Sequence, residues 1–166
     1  GHSKPVVFFK NMTHHLLDLD REFLKEGINI LLTRDPKEML PSFHKVIPNP
    51  SLFDVGYQSH LELVDYFRKH EIPFTVIESS RILKDPKSGL EKLCESCGIA
   101  FDRAMLSWEK GPRPEDGLWA KHWYSAIHNS KGFKPYSPKE ESFPKELEPL
   151  LMECLPLYEE LLKCSL

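Results

Sequence analysis

The sequence predicts a three-layer α/β domain in which a parallel sheet is covered by helices on both faces. Three observations lead there. Residues 6–9, 28–32 and 74–77 are β-branched or aromatic runs bounded by turn formers, the pattern of strands buried on both sides. Helical spacing fills the stretches between the later runs, and strand–helix alternation favours parallel pairing through right-handed crossovers. The chain of 166 residues is 40% hydrophobic and 28% charged, enough to bury one core and too apolar for a disordered tail or a disulfide-stapled miniprotein.

The first strand, Val6-Val7-Phe8-Phe9, leads into Lys10. The second ends at Leu32 and runs through Thr33-Arg34 into Asp35-Pro36, a helix cap followed by a proline at the first helical position. A helix over 37–45 follows, then one over 56–70 whose apolar stripe is Leu61, Leu63, Val64 and Phe67. The third strand follows Pro73, and the next helix spans 86–97 and stops at Gly98. Beyond it the character changes. Residues 104–108 suit a short helix, 110–117 carry too much proline and glycine for one, 118–128 read as helical again, and 135–144 as an extended connector. The last helix, 145–163, has Leu147, Leu150, Leu151, Leu155, Tyr158, Leu161 and Leu162 at three- and four-residue intervals. Pro149 falls in its first turn, and the interior Pro156 is expected to kink it. No internal repeat is visible, and the 14 prolines cluster in the connections, as in long ordered loops.

A net charge of −3 argues against nucleic acid as a partner, because duplex-binding modules carry a strongly basic balance. An anionic ligand must be held by a few placed donors. The apolar stretches are too short to cross a bilayer and no basic-then-apolar leader is present, so a cytoplasmic chain without membrane contact is expected. Four cysteines then read as reduced thiols. Cys94-x-x-Cys97 lacks the second close pair of a structural zinc site and has helical spacing, so buried helix thiols are expected there and no metal. His44, His60 and His70 read as polar-face residues, and Glu91, Glu95, Glu159 and Glu160 as solvated helix faces.

Three segments carry residues suited to chemistry. At the tip of the second strand, Arg34 precedes Ser42 by eight residues, about two helical turns. Ligands of α/β sheets bind beyond the carboxyl ends of strands, and a guanidinium there clamps a phosphate with two parallel bonds. An arginine–carboxylate bridge beside a surface serine is the plain alternative. Past the first strand, Lys10, His14 and His15 offer an electrostatic stabiliser and a general base that titrates near neutrality. Metal ligation by the histidine pair, or simple helix-start polarity, is the alternative. Finally, Lys110, Gly111, Arg113, Gly117 and Trp119 make an anion-gripping lid or, equally, an inert loop with Trp119 pinned to the core. Trp123, Tyr124, His128, Phe133 and Tyr136 nearby suit either packing or the lining of an acceptor pocket.

Taken together, these segments resemble the PAPS-dependent sulfotransferases, a P-loop NTPase-like fold, and specifically the branch that includes domains fused to plant branched-chain aminotransferase-like proteins. Arg34-x7-Ser42 resembles the segment that holds the 3′-phosphate of PAPS. The loop from Lys110 to His122, with Gly117-Leu-Trp-Ala-Lys-His122, is similar to the glycine-rich loop over the same phosphate. Lys10 and His14 or His15 resemble the stretch that carries the catalytic histidine. The strand, Asp85-Pro86 turn and following helix up to Cys97-Gly-Ile-Ala-Phe101 are similar to the family's penultimate strand and next helix. The resemblance covers essentially the whole chain. It implies sulfuryl transfer to a hydroxyl or amine acceptor, with PAPS as donor, PAP as product and no metal.

Two departures from the family pattern stand out. No Gly/Ser/Thr-rich loop for the 5′-phosphosulfate occurs in the sequence, and Ser79 stands where many relatives carry a tyrosine. The expectation is therefore a carboxyl-terminal portion, one domain over 1–166, whose P-loop unit belongs to an upstream segment or a fused domain. Competing readings are a catalytically inactive docking domain of the same fold and a P-loop kinase-like phosphotransferase, which the type of loop upstream would separate.

Overall fold

A computed structural model describes residues 6–16, 19–118, 120–137 and 142–166, without the side chains of His14, His15 and His122. Two strands, β1 (Asn29–Thr33) and β2 (Phe74–Glu78), pair in parallel with Leu31 opposite Val76 and Thr33 opposite Glu78. Between them run α1 (Pro36–His44), α2 (Leu52–Val55) and α3 (Tyr57–Lys69). After β2 come α4 (Ser79–Lys84), α5 (Pro86–Ser96), the short α6 (Ala120–Trp123) and α7 (Ser125–His128), and the long α8 (Glu148–Leu162).

Asp35 caps a helix as the sequence predicts, and Asp85, read as part of a turn, does the same. Asp35 accepts the Lys37 N–H at 2.8 Å and opens α1, and Asp85 accepts the Ser88 N–H at 3.1 Å and opens α5. Each cap satisfies a donor that the first helical turn leaves without an intrahelical partner. Pro149 lies in the first turn of α8 as expected, and the helix continues through Pro156.

One face of the sheet carries the main core. Leu31 and Val76 meet Leu40 of α1, Leu63, Val64 and Phe67 of α3, and Leu150, Leu151, Cys154 and Leu161 of α8. Each such side chain withdrawn from water contributes about 1.5–3 kcal/mol before the entropy of ordering is charged against it. On the opposite face α5 lies across β2, where the Thr75 hydroxyl donates to Ser96 at 3.2 Å. Gly89 sits inside α5 because a Cβ there would come within 2.9 Å of the Ile82 Cα in α4. At the free side of β2 the Leu166 N–H donates to the Val76 carbonyl at 3.0 Å, so β2 is flanked on both edges.

Several expectations need correction. Residues 6–9 form no strand, and their side chains are 54–79% exposed. Strand propensity is realised only through a ladder partner and a face to bury, and Lys10 directs this stretch toward Tyr124 instead. β1 is buried on one face only: Leu32, which shares the face of Ile77, is 58% exposed. The helical stretch at 118–128 divides at Tyr124 into α6 and α7. Residues 79–84, to which the sequence reading assigns no helix, form α4, capped by the buried Glu78 carboxylate through the Arg81 N–H. Residues 104–108 yield a 3-10 turn, Arg103–Leu106, and even the proline-rich loop contains one, Pro114–Asp116. His60 is not a plain polar-face residue: burial pushes its imidazole down to about 4. The His44 Nδ1 is likewise buried without a hydrogen-bond partner among the described residues.

Candidate functional site

The carboxyl ends of β1 and β2 point toward one cluster of charged and phenolic groups. Arg34 leaves the tip of β1 with its side chain 37% exposed, and its guanidinium lies 3.3 Å from the Glu38 carboxylate one turn into α1. Glu38 in turn accepts the Tyr136 hydroxyl. That bond, made to a carboxylate, raises the phenol to about 12. Lys84 of α4 stands over the Tyr136 ring at 5.0 Å. Beneath, the Tyr57 hydroxyl donates to the Arg34 carbonyl at 2.7 Å, and burial drives its pKa far upward. The half-buried Tyr158 is raised to about 12, first by burial and then by the nearby Glu78, Asp35 and Glu38 carboxylates.

Ser42, two turns along α1, donates to the Met39 carbonyl at 3.0 Å and the Glu38 carbonyl at 3.4 Å. Its neighbour Phe43 stacks on Trp123 of α6 with ring centroids 6.4 Å apart. The stretch that follows the 110–117 loop is thereby held against the helix that begins beside Arg34. Next along the chain, Tyr124 receives Lys10: the ammonium is 3.4 Å from the phenol oxygen and 5.0 Å from the ring centroid. Contacts of Phe43 with Trp123 and of Lys10 with Tyr124 thus link three stretches that are far apart in sequence.

The loop itself is well anchored. Gly111 and Gly117 take positive φ values of 120° and 69°, which residues with a Cβ adopt at a cost. The Gly111 N–H donates to the His128 carbonyl at 3.0 Å. The Asp116 carboxylate accepts the Arg113 N–H at 2.7 Å and the His128 Nε2–H at 2.8 Å. The Arg113 N–H above all, then His128, holds the Asp116 carboxyl below its usual range. Lys110 and the Arg113 side chain are exposed. Trp108, Arg113, Asp116 and His128 lie along a cleft of about 360 Å³. A somewhat larger depression of about 400 Å³, walled by Arg81, Asp85, Ser88 and Lys92, touches none of the sequence-predicted site residues.

A family model described as a sulfotransferase domain matches residues 2–164. The chain belongs to the sulfotransferase domain family. It is 37% identical over 164 residues to branched-chain-amino-acid aminotransferase-like protein 2 of Arabidopsis thaliana, covering 98% of this chain and 29% of that protein. It is 35% identical over 157 residues to branched-chain-amino-acid aminotransferase-like protein 1 of the same plant, covering 94% of this chain and 28% of the relative. The sulfotransferase domain therefore spans less than a third of the length of these relatives. No solved structure matches.

Within this sulfotransferase domain, Arg34 precedes the start of α1 and Ser42 lies toward the other end of that helix, and Lys10 lies beside Tyr124. His14 and His15 lie in a 3-10 turn, Thr13–Leu16, and their side chains are outside the described residues, as is Trp119. Cys94 and Cys97 are buried at the end of α5, where burial raises the Cys94 thiol. Sequence reasoning missed Glu38 and the Asp116–His128 pair. Glu38, four residues after Arg34, was open to detection by spacing. The Asp116–His128 contact joins a loop to a helix twelve residues on and leaves no local signal. Among the described residues no helix is long and apolar enough to cross a membrane.

Proposed function

We propose that this domain binds the 3′-phosphate of PAPS or PAP and takes part in transferring a sulfuryl group to a hydroxyl or amine acceptor. The observation that carries the reading is the family match over nearly the whole chain, joined to an arginine at a strand tip that solvent-borne anions can reach. Arg34, Ser42, Lys110, Gly111, Arg113, Gly117 and Trp119 are the residues assigned to the phosphate. Their chemistry suits it: two guanidinium groups, an ammonium, a hydroxyl, and backbone amides made approachable by glycine. PAPS, when bound, supplies an activated sulfuryl group on a stable phosphate-ester leaving group.

The chain's own residues then have distinct tasks. The phosphate-holding groups spend binding energy on alignment at a distance from the reacting centre. His14 or His15 takes the acceptor's proton, and Lys10 steadies the charge that develops. Glu38 must yield part of its hold on Arg34 as a phosphate arrives.

The described sheet contains no cradle for the 5′ end of the donor. We propose that a strand–loop–helix unit elsewhere in the full protein adds this cradle and gives the domain its full P-loop topology. Leu32 of β1 and Ile28 just before it, both mostly exposed on the side that α5 leaves open, support this. A second reading, a docking domain without catalysis, is favoured by one observation only: Glu38 already occupies the Arg34 guanidinium.

Calorimetry with 3′,5′-adenosine bisphosphate tests the proposal on the intact protein with its neighbouring segments. Saturable binding that Arg34→Ala weakens is the expected result. Absence of binding, or equal binding by Arg34→Ala, overturns it.

A further inference from the structure

His128 closes the 110–117 loop at both ends. Its carbonyl accepts the Gly111 N–H at 3.0 Å, and its ring donates to Asp116 at 2.8 Å. The Asp116 carboxylate also accepts the Arg113 N–H, so residues 111–116 wrap around one residue of α7. The two side chains are only 19% and 22% exposed, and the Tyr124 ring meets the imidazole edge-on at 6.0 Å. Beyond the single 3-10 turn at Pro114–Asp116, the loop has little regular structure of its own to hold it.

We propose that His128 is the positioning residue of this loop, acting through Asp116 to hold the backbone amides and the cations Lys110 and Arg113 ready for a phosphomonoester. This rests on the donor-site reading above and adds to it how the site is kept in shape. Ordering six residues when the ligand arrives would cost conformational entropy and so affinity; a loop ordered beforehand avoids that loss. Neither Asp116 nor His128 belongs to the main hydrophobic core. Loss of the clasp therefore loosens the loop and leaves the fold standing.

Two readouts on the intact protein test this: amide hydrogen exchange at residues 111–117 without ligand, and affinity for 3′,5′-adenosine bisphosphate by calorimetry. His128→Ala is expected to speed exchange across the loop and to weaken binding about tenfold. His128→Gln, whose side-chain amide replaces the Nε2 donor, is expected to restore most of both. If His128→Ala fails to fold, Asp116→Asn takes its place, with faster loop exchange expected. Unchanged exchange, or no difference between the alanine and glutamine variants, overturns the clasp. A wild-type protein that ignores the bisphosphate defeats the donor-site reading, while the exchange measurements still decide whether His128 holds the loop.

Discussion

The Glu38 carboxylate sits 3.3 Å from the Arg34 guanidinium and holds in place the one cation that leaves the tip of β1. The Tyr136 hydroxyl secures the same carboxylate from the other side. An anion arriving at Arg34 must compete with a carboxylate that is itself hydrogen-bonded, which lowers affinity but keeps the guanidinium aimed. Half-exposed pairs of this kind contribute up to about 1 kcal/mol.

Glu38→Gln should therefore raise affinity for 3′,5′-adenosine bisphosphate about fivefold, because the competing charge goes while the hydrogen-bonding shape stays. Arg34→Ala should lower it at least about tenfold. Calorimetry on the intact protein reads both, and a weaker Glu38→Gln complex would show that the carboxylate orients the arginine more than it blocks it.

Acid stability should depend on His60. Its folded pKa of about 4 lies below the ordinary value of 6.5 because burial penalises the imidazolium. The unfolded chain thus binds the extra proton first, and stability falls as pH drops from about 6.5 toward 4. The whole shift corresponds to at most about 3 kcal/mol. Urea melts across this window should show a shallower pH dependence for His60→Gln; parallel curves would assign the loss to other groups.

Thr33 is buried at the end of β1 with its hydroxyl unpartnered among the described residues. Replacing it with the β-branched isostere valine removes a polar group that burial leaves unpaid in hydrogen bonds. Thr33→Val should stabilise the domain by about 1 kcal/mol, read as a rise in the urea midpoint. A drop would reveal a hydrogen bond to this hydroxyl.

Gly89→Ala should destabilise by about 1–3 kcal/mol despite alanine's better helix propensity, since the new Cβ meets the Ile82 backbone at 2.9 Å and α4 must move. Thermal melts would detect this directly. A stabilised variant would mean that α4 gives way freely.

What could be read in advance was local. Asp35-Pro36 and Asp85-Pro86 announce helix starts through the orphan donors of a first turn, and both helices begin there. The strands β1 and β2 and the apolar stripe of α8 follow from near-neighbour patterning. The run Val6-Val7-Phe8-Phe9 carries the same composition as a strand yet joins no strand ladder among the described residues, because a ladder depends on a partner that composition does not specify.

The membership of the sulfotransferase family, the helix caps and the Arg34-to-Ser42 spacing belong to the chain's own order of residues, since each depends on groups a few bonds or turns apart. Which phenol reaches the Glu38 carboxylate, which residue closes the 110–117 loop, and which face of β1 stays open were decided by the tertiary structure alone. Those outcomes depend on distances between separate segments, and only packing sets such distances.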